Sequence, residues 1–459
     1  MLYLEILIFI LLVSHFLYKI MKAGYLELDC WTITYSFLLI ELYAIISYSI
    51  SDTEVSITAF PLAICTMATA VLGYHISSKI HLKTNSKNSI DSTTALSQKH
   101  LCFQSISSVG LNVFLVIMIL IGTFRYQGVP PVVDSFAALL KGGYSHSDAV
   151  NLTEARRMIS KSHYFGGSYR GQGLTKTLQL TGWPLLCTTS LIIFLNNRKR
   201  KDLLRFLLFV LLGIIYLSGD GTRLPALVLI LTCLIAFVQK RNVNMIKAFK
   251  YFFEILIFLI ILSSLSVKQY SIFADGFSFN TLMDSIKGII DRIFLGNTGC
   301  DILAINYISE GSIPVQNGQI HLHQVLNALP GISFSYMSFS YLLAQIAGAS
   351  STTYYSTTYL GIAYADFGFI GAMVSYFLVG SLCGLAKNNL SRNLEHSKSP
   401  IANALYSCLC WEIGYIVVRS LVAGLIDIAI IVGLYFLLKT LTKFRFIVGT
   451  RAKVIHQEH

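Results

Sequence analysis

Six arginines fall in segments that we place outside the membrane, and their side chains suit the binding of an anionic group. A guanidinium group stays charged at any physiological pH, and its planar fork can bind two phosphate oxygens at once. The six are Arg125, Arg223 and Arg419 at helix ends, and Arg156, Arg157 and Arg170 in a polar segment. A single arginine at a helix end often only extends its side chain to the lipid headgroups. The set as a whole indicates a site for a membrane-anchored anion, such as a lipid-linked diphosphate.

A tight turn at residues 218–225, with the sequence SGDGTRLP, offers a related anion site. Its two glycines permit a turn with exposed backbone N–H groups. Thr222 can cap the next helix, whose N-terminus attracts anions, and Arg223 adds a charge there. In the alternative interpretation, Asp220 pairs with Arg223 and the turn is only a hairpin.

Two residues are candidates for moving a proton, namely Asp366 and His323. Asp366 lies inside the apolar segment YLGIAYADFGFIG at residues 359–371, where an ionisable group is costly and usually faces a cavity or a partner. It can serve as a general base toward a hydroxyl group, or it can instead hold one of the arginines. His321 and His323, in the sequence HLHQ, titrate near neutral pH, and we select His323 as the second candidate base.

The sequence contains no evident metal site or cofactor site. The nearest approach to an Asp-x-Asp pattern, Glu27-Leu-Asp29, is cytoplasmic in the topology given below. Metal-type Cys–His spacing, the P-loop and the common hydrolase motifs are absent from the sequence. We therefore expect chemistry without a metal or cofactor, in which arginines hold the anion. Glu412 and Asp427, both in apolar segments, can each pair with Arg419.

The elements that carry these residues are helices of a polytopic membrane protein. Of the 459 residues, 54% are hydrophobic and 13% are charged, against about one quarter charged in soluble proteins. This composition excludes a disordered protein, a disulfide-stapled secreted domain and an ordinary soluble enzyme. We expect one all-α integral membrane domain over residues 1–459 with about eleven transmembrane helices. The predicted spans are Leu2–Ile20, Trp31–Ile50, Ser56–Ile76, Leu101–Thr123, Thr177–Leu195, Leu203–Ser218, Arg223–Val238, Tyr251–Val267, Tyr359–Ala386, Ile401–Arg419 and Leu421–Lys439.

The distribution of basic residues predicts the orientation of these spans. Most of the 35 Lys and Arg residues lie in alternate connections, which the positive-inside rule places in the cytoplasm. The N-terminus is then outside and the C-terminus is cytoplasmic, and the net charge of +12 does not require nucleic acid as a partner. We expect a flexible cytoplasmic loop at 77–100 and a cationic outer loop at 124–176. A large outer loop follows at 268–358, with a re-entrant helix at 332–347.

This architecture resembles the bacterial O-antigen polymerases of the Wzy type, which polymerise oligosaccharide repeat units. The residues that carry the resemblance are Gly221-Thr222-Arg223, the segment 361–371 and Val418-Arg419, and Arg156 to Gly167 fits an Arg-x10-Gly spacing of some family members. The resemblance implies a glycosyltransferase of the bacterial inner membrane. Its substrates would be undecaprenyl-diphosphate-linked oligosaccharides at the periplasmic face, and its partners a chain-length regulator and a flippase of the same pathway.

In that reaction the lipid diphosphate is the leaving group, so the arginines would stabilise its developing charge. Asp366 or His323 would take the proton of the acceptor hydroxyl. Two alternatives stay open. An O-antigen ligase has a similar outline but transfers the finished chain to lipid A core. A flippase or other transporter of the same lipid usually carries its charges at the bilayer midplane within repeated halves, whereas no repeat is visible here.

Overall fold

The fold is described here from a computed structural model. The described residues are 2–23, 28–51, 58–80, 108–126, 128–134, 172–220, 222, 224–241, 297–328, 338–349, 355–390 and 399–443, with isolated positions between 137 and 287. Every regular element among them is a helix. In chain order they are α1 (Leu2–Ala23), α2 (Cys30–Ser51), α3 (Ala59–Ser77), α4 (Ser108–Tyr126), α5 (Gln172–Asn197), α6 (Arg200–Leu217), α7 (Leu224–Arg241), α8 (Thr298–Ser309), α9 (Gln319–Ala328), α10 (Phe339–Ile346), α11 (Tyr359–Leu390), α12 (Pro400–Tyr415), a 3-10 turn (Ile416–Val418) and α13 (Leu421–Lys443).

Eight of the described helices are long and apolar enough to cross a membrane, so the chain is a multi-pass membrane protein. They are α2, α3, α4, α5, α7, α11, α12 with the 3-10 turn, and α13. Two further predicted spans are helices that fall short of these criteria. The side chains of α1 are described only over Leu2–Tyr18, which is apolar but shorter than 18 residues, and α6 opens with four charged residues in its first six. The predicted span Tyr251–Val267 lies outside the described residues.

The helices differ in how much of their surface they bury. Within its most apolar stretch, α12 is 94% buried and α5 is 78% buried, so these two helices form the centre of the bundle. By contrast, α4 and α13 are only one-third buried, and they leave large apolar side chains such as Leu120, Phe124 and Phe436 exposed. Apolar side chains on the outside of a helical bundle are suited to contact with lipid.

Small residues hold α11 tightly against α3. A Cβ atom on Gly380 would lie 1.9 Å from the carbonyl oxygen of Ala70, and one on Gly73 would lie 2.2 Å from that of Phe377. Such close backbone approach is how helices associate where no water is present to drive them together. The second half of α11 is therefore fixed in the bundle.

The long helix α11 is broken at Gly368, a feature that the sequence analysis did not anticipate. This residue has φ 66° and ψ −167°, a conformation that essentially only glycine adopts without strain. Near the break, the carbonyl oxygens of Ala365 and Asp366 accept hydrogen bonds from the N–H groups of Gln316 and Gly318, at 2.8 and 3.2 Å. The loop that leads into α9 is thus fastened to the end of the first half of α11.

The predicted loops are only partly described. The segment 77–100 is described to Ile80, and residues 81–107 lie outside the described part. Within 268–358 the structure contains the short helices α8, α9 and α10. The helix expected at 332–347 corresponds to α10, which is eight residues long, while residues 329–337 are not described.

Candidate functional site

Several of the predicted outer segments meet at one end of the bundle, which we call the site end. Arg125 at the end of α4 contacts Gln179 of α5 and Asp220 in the α6–α7 turn. Ser420, between α12 and α13, contacts Gln324 of α9. The site end therefore joins helix ends that lie far apart in the sequence, and it contains most of the described candidate residues.

Asp366 holds the N-terminus of α9. Its Oδ1 accepts the N–H group of Ile320 at 3.1 Å, and its Oδ2 accepts the N–H group of His321 at 3.0 Å. These N–H groups belong to the first turn of α9, where no helical carbonyl can accept them. The Asp366 side chain is completely buried, and it acts as a helix cap supplied by another helix.

The same carboxylate also binds the His321 imidazole, with 2.5 Å between Oδ2 and Nδ1. Because the carboxylate accepts at both oxygens, Nδ1 donates in this contact, and Nε2 is the ring nitrogen left to exchange a proton. His321 Nε2 is buried and has no hydrogen-bond partner among the described residues. The rings of Phe367 and Tyr359 flank the imidazole at centroid distances of 5.0 and 5.9 Å. The pair thus presents a fixed imidazole nitrogen that is able to accept a proton.

This arrangement changes two of the sequence-based assignments. Asp366 holds a histidine, whereas the sequence analysis offered the alternatives of a base or of a partner for an arginine. The histidine at Asp366 is His321 and not the selected His323. Residues two apart point to different sides of a helix, so His323 does not share this contact. Partial burial lowers the pKa of His323.

Gln324 connects α9 to Ser420, the residue that follows Arg419. Gln324 lies one turn after His321, and its Oε1 accepts the hydroxyl of Ser420 at 2.8 Å, so Arg419 lies next to this contact. Arg419 donates through Nη1 to Asp427, as the sequence analysis allowed, yet 35% of its side chain stays exposed. Burial alone would lower the pKa of Arg419, but Asp427 and then Glu412 raise it overall. Arg419 is a permanent cation with N–H groups beyond the one that Asp427 uses.

Lys176, near the start of α5, is a residue that the sequence analysis did not select. It is exposed, and it lies close enough to interact electrostatically with Arg125, Arg419 and Asp220. No ion pair of Lys176 is found among the described residues, because Asp220 is taken by Arg125. Arg125, Lys176 and Arg419 therefore converge at the site end, and a cation in such surroundings attracts an anion.

Arg125 itself is a buried structural cation. Its Nη2 lies 3.1 Å from Asp220 Oδ2 and its Nη1 donates to Gln179 Oε1 at 3.0 Å, while only 2% of the side chain is exposed. Among the described residues, the basic partner of Asp220 is Arg125; Arg223, its partner in the hairpin alternative, lies outside the described residues. Thr222 donates its N–H and hydroxyl groups to Asp220 Oδ1. Arg125 shapes the site end but is already paired.

The other predicted anion-binding residues cannot be placed. Arg156, Arg157, Arg170 and Arg223 lie outside the described residues, so their part in the site stays a prediction. In the described part of the chain, no group of three or more His, Cys, Asp and Glu side chains is arranged to hold a metal ion.

The site end therefore combines a histidine held by a buried carboxylate with cations that are suited to an anionic group. Such a set can remove a proton from a hydroxyl group and stabilise negative charge that develops nearby. Comparison of this chain with family models, with curated proteins and with solved structures gave no match.

Proposed function

We propose that this protein is a glycosyltransferase that polymerises undecaprenyl-diphosphate-linked oligosaccharide units at the periplasmic face of a bacterial inner membrane. The observation that carries the proposal is that Gln324, one turn after His321 of the Asp366–His321 pair, is hydrogen-bonded to Ser420, the residue that follows Arg419. In this proposal the site end faces the periplasm, as the distribution of basic residues predicts. The multi-pass membrane architecture agrees with a substrate that is itself anchored in the membrane.

The reaction assigns a separate task to each group. His321 Nε2 takes the proton of the acceptor sugar hydroxyl, whose oxygen forms a bond to the anomeric carbon of the donor glycan. The bond between that carbon and the diphosphate oxygen breaks, and the lipid diphosphate leaves with the bonding electron pair. Asp366 stabilises the imidazolium that forms, while Arg419 and Lys176 stabilise the charge on the diphosphate.

The chemistry requires no cofactor, because the diphosphate is already an activated leaving group. It also explains why the cations and the histidine occur together. A histidine without nearby cations would have no means to stabilise the leaving group, and the cations alone would not activate a hydroxyl group.

Purified protein in detergent or in sealed vesicles, supplied with lipid-linked repeat units, tests the proposal. We expect a ladder of longer glycans on the lipid diphosphate of the acceptor, with release of the donor's lipid diphosphate, and without any ion gradient. Formation of no product with active substrate, or movement of the lipid across the bilayer as the only activity, would overturn it.

Two alternatives are separated by the same assay. A ligase would form product only when lipid A core is added. A transporter is favoured by one observation, since discontinuous helices with buried charged groups are frequent in transporters, and α11 is broken next to Asp366. A transporter would move the lipid without forming a glycosidic bond. In vivo, accumulation of single repeats on the cell surface marks loss of a polymerase, and loss of all attached glycan marks loss of a ligase.

A further inference from the structure

Two buried carboxylates that the proposed reaction does not use meet where α2, α8 and α11 join. Glu41 of α2 is 7% exposed and Asp301 of α8 is completely buried. Thr358, immediately before α11, connects them. Its hydroxyl donates to Glu41 Oε1 at 2.6 Å and its N–H group donates to Asp301 Oδ1 at 2.8 Å. We call Glu41 and Asp301 the acid pair.

In the part of the chain that the structure describes, the acid pair has no positively charged partner. Neither carboxylate forms an ion pair with a basic side chain among the described residues. The titratable groups within electrostatic range of Asp301 are Glu41, Tyr376 and Cys300, and none of them supplies a positive charge. The N-terminus of α11, whose N–H groups at Thr358 and Gly361 face Asp301, offers about half a charge. Two buried negative charges need more compensation than that.

One oxygen of the acid pair and one neighbouring hydroxyl oxygen have no hydrogen-bond partner among the described residues. They are Asp301 Oδ2 and the hydroxyl of Thr357, which is 6% exposed. A Cβ on Gly361 would lie 2.4 Å from Asp301 Oδ1 and 3.2 Å from Thr357 Cβ, so the two side chains are neighbours. The Thr357 hydroxyl is not acidic, and it is an independent sign that a ligand belongs here, since buried polar atoms are normally paired.

We propose that the acid pair binds a small monovalent cation, with Na⁺ as the probe, held by Glu41, Asp301 and the hydroxyl of Thr357. All of these atoms are oxygens, which hard cations prefer. The two carboxylates carry two negative charges. One monovalent cation and the partial positive charge of the α11 N-terminus nearly balance them. The bound cation ties α2 and α8 to the start of α11, whose first half carries Asp366. This inference stands apart from the proposed glycosyl transfer.

Thermal unfolding of the purified protein in NaCl and in choline chloride, at a fixed ionic strength of about 0.15 M, tests the proposal. We expect Na⁺ to raise the unfolding midpoint by roughly 2 °C or more in wild type, as a ligand of the native state does. Burial, and then the charge of Glu41, raise the pKa of Asp301, so protons compete with the cation. The Na⁺ effect should therefore grow as the pH rises.

Variants assign the effect to the acid pair. Glu41→Gln and Asp301→Asn should lose the Na⁺ dependence, and Thr357→Val should weaken the apparent Na⁺ affinity roughly fivefold. Asp29→Asn is the matched control, because Asp29 is 3% exposed but is paired with Lys387 at 2.9 Å; this variant should keep the Na⁺ dependence.

A wild-type midpoint that is equal in Na⁺ and choline at every pH would overturn the proposal, and it would mean that a proton alone neutralises the acid pair. The proposal would also be overturned if the single variants Thr357→Val and Asp301→Asn both kept the full Na⁺ effect. If the acid variants do not fold, the wild-type Na⁺ titration and Thr357→Val still decide the question. Loss of glycan polymerisation in any of these variants is not a criterion, so the two proposals fail independently.

Discussion

Replacement of His321 by glutamine is the sharpest perturbation of the proposed site. The variant loses the imidazole lone pair at Nε2 but not the two hydrogen bonds from the N–H groups of Ile320 and His321 to Asp366. The start of α9 therefore stays capped. The stability that is lost is that of one hydrogen bond to a charged group, about 1.5–3 kcal/mol. The protein should still fold, so its activity can be interpreted.

The expected loss of activity follows from the role of a general base. Removal of such a base typically lowers the rate by about 10²- to 10⁴-fold, which corresponds to about 2.7–5.4 kcal/mol in the activation barrier. The rate is measured as the conversion of radiolabelled lipid-linked repeat units into longer glycans by purified protein. His323→Gln is the matched control, since it changes a histidine on the same helix that does not contact Asp366, and it should lower the rate less than about threefold.

The pH profile separates a base from a positioning residue. Removal of a general base also removes the pH dependence that the base imposes on the rate, so the profiles of wild type and His321→Gln should differ in shape. Wild-type rates in His321→Gln, or equal losses in His321→Gln and His323→Gln, would refute the assignment of His321 as the base.

Four further outcomes follow from the structure. Arg419→Lys keeps a cation for its buried acid partner but loses the planar fork, so we expect normal protein levels and loss of long glycan chains on a gel. Arg125→Gln leaves a buried carboxylate unpaired and should lower the free energy of unfolding by about 3–5 kcal/mol, measured by thermal denaturation. Gly368→Ala forces a side chain into a strained conformation, at about 1–3 kcal/mol, whereas Gly433→Ala, in open space inside α13, should be neutral or stabilise by up to about 1 kcal/mol in the same assay. In Na⁺-free buffer, stability should fall as the pH rises through the pKa of Asp301, because its raised pKa means that the fold favours the protonated form; Asp301→Asn should flatten this dependence.

The helices were predictable because hydrophobic length alone determines them in a membrane. Ten of the eleven predicted spans are helices, and the start of α11 at Tyr359 is as predicted. The break at Gly368 was not, since several glycines in that segment equally suited close packing between helices. Gly380 does have that packing role, whereas Gly368 interrupts the helix.

The candidate site was predictable in its residue types but not in its pairings. Asp366 stood out because an acid inside an apolar segment needs a partner, yet the partner lies 45 positions away in α9. Only the fold shows that His321, and not His323, faces it. Lys176 could have been found, because it precedes an apolar segment on the side with fewer basic residues. The pairing of Arg125 with Asp220 depends on contact between α4 and the α6–α7 turn, which no local pattern indicates.

A structure of the protein with bound undecaprenyl diphosphate tests the central claim most directly. We expect the diphosphate at the site end, in contact with Arg419 and Lys176. The oxygen that carries the sugar in the substrate should then face His321, close enough for an acceptor hydroxyl to lie about 2.6–3.2 Å from Nε2. A diphosphate bound at the opposite end of the bundle near Lys387, or on the lipid-facing perimeter away from His321, would contradict the account.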